Sequence, residues 1–216
     1  MPFSNGVLSA TTAFGKTVTA AALIARRKTN TLILVHSKAL LMQWHERLSE
    51  FLDIDFTEEE ISKKRGRKKA FSPVGCLDST SNTLHGVIDI ALMQSCFEND
   101  EVKPFVKGYG MVIVDECHHV SSITFENVLK HVTAHYVYGL TATPIRKDGL
   151  QPIIFMQCGP IRFFADAKAQ IQKQSFQRYL VPRFTSYRPV TDDKQSFTAL
   201  SQSLAESEIR NNLIIE

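Results

Sequence analysis

Ala10-Thr11-Thr12-Ala13-Phe14-Gly15-Lys16-Thr17 follows a short apolar run and opens a stretch with helical spacing. Such a strand–loop–helix passage grips phosphates: backbone N–H groups of the turn and of the helix start face the anion, and a lysine neutralises it. Gly15 permits close backbone approach, Lys16 reaches toward the terminal phosphates, and the Thr17 hydroxyl suits Mg²⁺. About a hundred residues later comes Met111-Val112-Ile113-Val114-Asp115-Glu116-Cys117-His118. Four consecutive apolar residues imply a strand buried on both faces. Asp115 at its exit can hold a metal's water shell, and Glu116 can orient or deprotonate an attacking water. The two stretches, in this order, point to nucleoside-triphosphate chemistry.

Outward from these, short apolar runs alternate with helical patterns, the signature of a parallel sheet with crossover helices. Strands are expected at Gly6 to Ala10, Thr31 to Val35, Ile88 to Met93, Met111 to Val114 and Val137 to Leu140. Lys16 to Arg27 reads as a helix with Val18, Ala21, Ala22 and Ala25 on one face. Lys38 to Leu52 reads as a second, with Trp44 as a core anchor. From Ala199 to Glu216 the apolar spacing suggests one further helix, ending as though cut or awaiting a partner.

Composition narrows the class. The 216 residues suffice for one α/β domain but not two large ones, and 44% hydrophobic content excludes a mostly disordered chain. No apolar stretch approaches the roughly 20 residues needed to span a membrane, and no secretory leader is recognisable, so a cytoplasmic protein is expected. Cys76, Cys96, Cys117 and Cys158 form no C-x-x-C pair, which favours reduced, mostly buried thiols. The adjacent Cys117, His118 and His119 cannot easily converge on one zinc. A net charge of +3 does not by itself imply a nucleic-acid partner. Lys63-Lys64-Arg65-Gly66-Arg67-Lys68-Lys69 should form an exposed insert over about 63–70, either simply solvated or touching nucleic-acid phosphates. An import signal is the more remote reading.

A third element is Gly139-Leu140-Thr141-Ala142-Thr143-Pro144, a strand leaving with two hydroxyls two positions apart. The ordered set resembles the first RecA-like lobe of superfamily 2 helicases and translocases. In that family the phosphate loop reads A-x-T-G-x-G-K-T, from which this chain departs at Ala13. Its acid box appears here as D-E-C-H and its third motif as Thr141-Ala142-Thr143. The continuation Pro144-Ile145-Arg146-Lys147-Asp148-Gly149 is similar to the XPB-like and type III restriction-subunit branch. So are the stretches Val35 to Trp44 and Asp89 to Ser95.

The resemblance implies an α/β RecA-like P-loop NTPase lobe over 1–165: a mainly parallel sheet between helical layers. Residues 166–216 would be a linker or extension toward a second RecA-like lobe, supplied in cis by a longer chain or in trans. It implies ATP as substrate and Mg as cofactor, with Ala13, Phe14, Gly15, Lys16 and Thr17 at the nucleotide and Thr17 and Asp115 at the metal. Phe14 could equally well simply pack. Lys16, Asp115, Glu116 and His118 would be catalytic, and Thr141 and Thr143 would couple nucleotide state to a nucleic-acid groove. Ser37, Lys38, Gln94 and Ser95 fall where the family touches the sugar-phosphate backbone, DNA being favoured over RNA. Restriction or defence is a context suggested by the same branch.

The second lobe's arginine-rich motif and an upstream adenine-reading segment are not recognisable. An arginine finger is worth about 10³- to 10⁵-fold in phosphoryl transfer. The isolated chain is therefore expected to bind Mg-ATP weakly and turn it over very slowly. A non-catalytic nucleic-acid-binding remnant of a helicase is the alternative.

Overall fold

A computed structural model describes residues 3–11, 14–54, 72–118, 123–143, 149, 151–165, 179, 181–185 and 197–215. Ala13, the basic run at 63–70, His119 and the run from Pro144 to Asp148 lie outside the described residues. The chain forms two compact units, Met1–Lys173 and Gln174–Glu216.

The first unit is built on a parallel sheet of seven strands. They are β1 (Asn5–Ser9), β2 (Thr31–Val35), β3 (Gly75–Leu77), β4 (Ile88–Leu92), β7 (Met111–Val114), β8 (Tyr136–Thr141) and β9 (Ile161–Phe164). A small antiparallel hairpin, β5 (Phe97–Glu98) with β6 (Glu101–Val102), stands apart from it. Across the sheet the order is β3, β4, β2, β7, β8, β1, β9. Helices α1 (Lys16–Arg27), α2 (Lys38–Phe51), α3 (Ile123–His131) and α4 (Gln151–Cys158) form the crossovers.

Alternation along the strands sends side chains to two faces. Ile33 and Val35 face one core with Ala20, Ala21, Leu23 and Ile24 of α1 and Leu41, Trp44 and Leu48 of α2. Leu32 and Leu34 face the other, with Phe125, Val128 and Leu129 of α3 and Ile154 of α4. β2 and β7 are buried throughout, as expected of strands covered on both faces. The result is the expected three-layer α/β sandwich.

Several expectations need correction. α1 spans the expected residues, but Val18, Ala22 and Ala25 are exposed and the inward stripe carries Leu23 and Ile24. Burying those two larger side chains removes more apolar surface from water, which sets the helix's rotation. β1 is shifted one residue toward the N-terminus, β4 ends at Leu92, and β8 gains a residue at each end. The single C-terminal helix is two: α5 (Phe197–Glu206) and α6 (Glu208–Ile215). The break falls at Ser207, whose hydroxyl accepts the Arg210 N–H at 3.5 Å while its carbonyl accepts the Asn211 N–H at 2.9 Å. A serine that offers the backbone its own side-chain acceptor starts a new helix rather than continuing the old one. β3, β9, α3 and α4 were not anticipated.

At the amino edge of the sheet a buried carboxylate ties three segments together. Asp89 in β4 is fully buried and accepts backbone N–H groups of His85 and Gly86. It also accepts the Tyr109 hydroxyl at 2.6 Å, just before β7 begins. Hydrogen bonds to a charged group contribute about 1.5–3 kcal/mol. Tyr109→Phe should therefore lower unfolding stability by about 2 kcal/mol, read as a lower urea midpoint at unchanged slope. A change below about 0.5 kcal/mol would contradict this anchoring role.

Candidate nucleotide site

β7, β8 and β1 are consecutive in the sheet and parallel, so their exits lie side by side at its carboxyl edge. Open α/β sheets bind ligands at that edge. Ser9 pairs with Thr141, and the Ala10 N–H donates to the Thr141 carbonyl at 2.9 Å, so the phosphate loop leaves directly beside the third motif.

Gly15 caps α1 in the left-handed region, at φ 87°, a conformation glycine adopts without steric cost. It brings no side-chain cap, and the first helical turn contains no acidic residue. The helix start thus keeps its positive end and its outward N–H groups for an anion. Phe14 packs its ring on Phe163 of β9, with centroids 5.6 Å apart.

The two sequence motifs meet. Lys16 is buried, and its ammonium lies 3.1 Å from the Glu116 carboxylate, 100 positions away in sequence. Glu116 holds φ 47°, left-handed and uncommon for a residue with a side chain. Such backbone strain, of order 1–3 kcal/mol, persists only where the surroundings enforce it. Here the Asp115 N–H continues the ladder to the Leu34 carbonyl, and the Glu116 N–H folds back onto the Asp115 carboxylate at 2.9 Å. Gly139 in β8 makes room beneath this turn: a methyl group there would meet the Cys117 sulfur at 2.9 Å.

Asp115 is 6% exposed. Its second carboxylate oxygen accepts the indole N–H of Trp44 at 2.7 Å. Burial pushes the Asp115 carboxyl above the usual range, and the Trp44 hydrogen bond opposes that rise. Among the described residues no ion pair reaches it.

His118 brings the second and third motifs together. Its Nδ1 lies 3.0 Å from the Thr141 hydroxyl and 3.2 Å from Glu116 Oε2. Thr141 is fully buried and also accepts the Thr143 backbone N–H at 3.1 Å. Thr143 contributes that N–H, while the residue itself is exposed.

The other group of expected residues sits further along the same edge. Ser37 caps α2, accepting the Leu40 N–H at 3.3 Å, and so has a structural duty. The exposed Lys38 pairs with Asp78 at 2.9 Å, just after β3. Gln94 and Ser95 occupy the tight turn after β4, with Gln94 exposed. Nothing in the sequence marks Asp78 as the Lys38 partner, and the helical spacing of Trp44 implies packing alone. The inward stripe of α2 signalled the burial of Trp44; only the β2–β7 pairing shows that its nitrogen reaches Asp115.

This fold and edge define a P-loop nucleotide-binding lobe. Residues 2–146 match the family described as type III restriction enzyme, res subunit, and the chain belongs to that family. It is 34% identical over 154 residues to the helicase-named protein 109L of Invertebrate iridescent virus 3, covering 71% of this chain and 44% of that protein. It is 27% identical over 221 residues to the DNA 3′-5′ helicase XPB of Kineococcus radiotolerans, covering 98% of this chain and 38% of the relative. The chain thus spans less than half the length of these curated relatives. The UvsW helicase of bacteriophage T4 shares the fold, with a TM-score of 0.54 at 14% identity over 73% of this chain and 54% of the other.

The four cysteines are free, three buried and Cys76 half-buried. Burial pushes Cys96 and Cys158 up to about 12, Cys76 to about 11, and Cys117 well above the ordinary value. The thiolate is the reactive form, so these sites hold almost none at pH 8. The native chain should react with a disulfide reagent such as Ellman's far more slowly at pH 8 than after denaturation, with all four thiols released in urea. A thiol reacting at the rate of free cysteine would contradict the packing described.

Proposed function

We propose that this chain is the ATP-binding lobe of an ATP-dependent nucleic-acid translocase or helicase, with DNA as its track. The observation that carries this reading is the meeting of Lys16 and Glu116 at an edge shared by the exits of β1, β7 and β8. Lys16 has the reach and charge to receive the terminal phosphates, and the start of α1 offers them backbone donors. Glu116 then loses its cationic partner and becomes the base that orients the attacking water. His118, touching both Glu116 and Thr141, passes that change to β8.

The donor set fits a magnesium ion. The Thr17 hydroxyl and the Asp115 carboxylate are hard oxygen donors. Asp115 is buried, and the Lys16 ammonium attracts it without pairing with it, so its carboxylate is available to a cation. When bound, the ion supplies charge neutralisation to the transferring phosphoryl group. Ala13 would line the nucleotide loop with Phe14, Gly15, Lys16 and Thr17.

The nucleic-acid track follows the neighbouring half of the edge, where Lys38, Gln94 and Ser95 follow β2 and β4. Hydroxyls, amides and cations of this kind grip phosphates without reading sequence. Lys38 would exchange Asp78 for a phosphate. The choice of DNA rests on the XPB relative, whose name gives DNA as its substrate. Residues 166–216 would lead toward a second RecA-like lobe carrying the arginine finger, and the chain's coverage of under half of its relatives fits that arrangement. A restriction or defence setting rests on the family description alone. The retained pairing of Lys16 with Glu116 speaks against a non-catalytic remnant.

Lys16→Ala should weaken ADP binding, measured by calorimetry, at least tenfold while leaving DNA affinity within twofold. Glu116→Gln should tighten ADP about fivefold, because Lys16 no longer has to leave an ion pair of about 1 kcal/mol. Wild-type ADP affinity in Lys16→Ala would refute the nucleotide reading.

A further inference from the structure

Trp44 is the single tryptophan of the chain, and its environment is unusual for a core anchor. The side chain is 2% exposed and packed in the core formed by α1, α2 and the sheet. Its only polar atom is spent on the Asp115 carboxylate at 2.7 Å, the short distance of a charge-assisted bond. The other Asp115 oxygen accepts the Glu116 N–H, so two donors from two elements fix the carboxylate plane.

The choice of donor matters. An indole N–H can donate but carries no charge and accepts nothing. It therefore orients Asp115 without neutralising it, whereas lysine or arginine at this place would compete with a cation for the same charge. The core packing on α2 also denies the ring freedom to swing away.

We propose that Trp44 is a positioning residue for the metal side of this site: its indole N–H holds the Asp115 carboxylate in the orientation that receives Mg²⁺ with the nucleotide. The inference rests on the nucleotide-site reading above and gives Trp44, the last residue of the family-like stretch Val35 to Trp44, a role at the metal side of the site. It also gives α2, which begins at Ser37 and Lys38, a direct bond to the acid at the exit of β7. Residues that fix ligand orientation from behind commonly change metal affinity about 10- to 100-fold when lost.

The test uses the full chain, with ADP and Mg²⁺ as probes. In ¹⁵N-labelled wild type, one indole N–H resonance is present and belongs to Trp44. It should move when Mg²⁺ is added to the ADP-bound chain, and move little when ADP is added without Mg²⁺. Trp44→Phe keeps the ring volume and removes the donor. It should keep Mg-free ADP affinity within twofold and lose about tenfold of the strengthening that Mg²⁺ confers. Leu41→Ala, a core truncation on the same helix, should lower stability while keeping that strengthening. An indole resonance indifferent to Mg²⁺, or a Trp44→Phe chain with the full Mg²⁺ effect, would overturn the proposal. Should Trp44→Phe fail to fold, the wild-type resonance decides alone. A wild type that binds no ADP at all would overturn the nucleotide reading and this proposal with it. ADP binding that Mg²⁺ leaves unchanged would overturn only the proposal.

Discussion

The ammonium of Lys16 and the carboxylate of Glu116 meet 3.1 Å apart, largely withdrawn from water, and the architecture around them is arranged to make that meeting possible. One group starts the helix after β1, and the other follows β7, two strands across. They can touch only because both strands run the same way and end at the same edge. In a parallel sheet every such exit is delivered to one side, and crossover helices on both faces keep the strands buried. A pair of this kind does little for net stability, since desolvating two charges offsets most of their attraction. Its significance is that each charge is held in place while remaining exchangeable for a stronger partner.

Other features of the edge share this character. Asp115 is buried without an ion pair among the described residues, Glu116 carries a left-handed backbone, and the start of α1 has no capping side chain. Each costs some folding free energy, and each is the kind of deficit that a phosphate or a cation relieves. Lys38 and Asp78 repeat the arrangement further along, as a cation parked on a carboxylate where a nucleic-acid phosphate would approach. The nucleotide half of the edge and the half proposed to face nucleic acid are linked through α2, whose first residue Lys38 lies in the second and whose Trp44 reaches Asp115 in the first.

Much of this was legible in the chain. The phosphate loop and the acid box name their own elements: a glycine before Lys16 permits the close backbone approach that a phosphate-gripping turn needs, and four apolar residues before Asp115 imply a strand buried on both faces. β2 and β7 therefore fall at the expected residues. What escaped depends on contacts that sequence spacing does not encode. α1 could present Val18 or Leu23 inward by periodicity alone, and only packing against the sheet selects Leu23 and Ile24. Ser207 looks like an ordinary helix residue until its hydroxyl turns to cap Arg210. β3 has three residues and β9 is exposed throughout, so neither shows the continuous buried run by which a core strand is recognised. Helical spacing puts Trp44 in the core, but its bond to Asp115 joins residues 71 apart and follows from strand order rather than pattern.

The most direct test is a crystal structure of the chain bound to Mg-ADP. In that complex the Lys16 ammonium should leave Glu116 for the β-phosphate, with the phosphates cradled by the start of α1 and the cation beside Asp115. A nucleotide seated elsewhere, or one seated there with the Lys16–Glu116 pair still closed at about 3 Å, a hydrogen-bonding distance, would contradict the nucleotide reading.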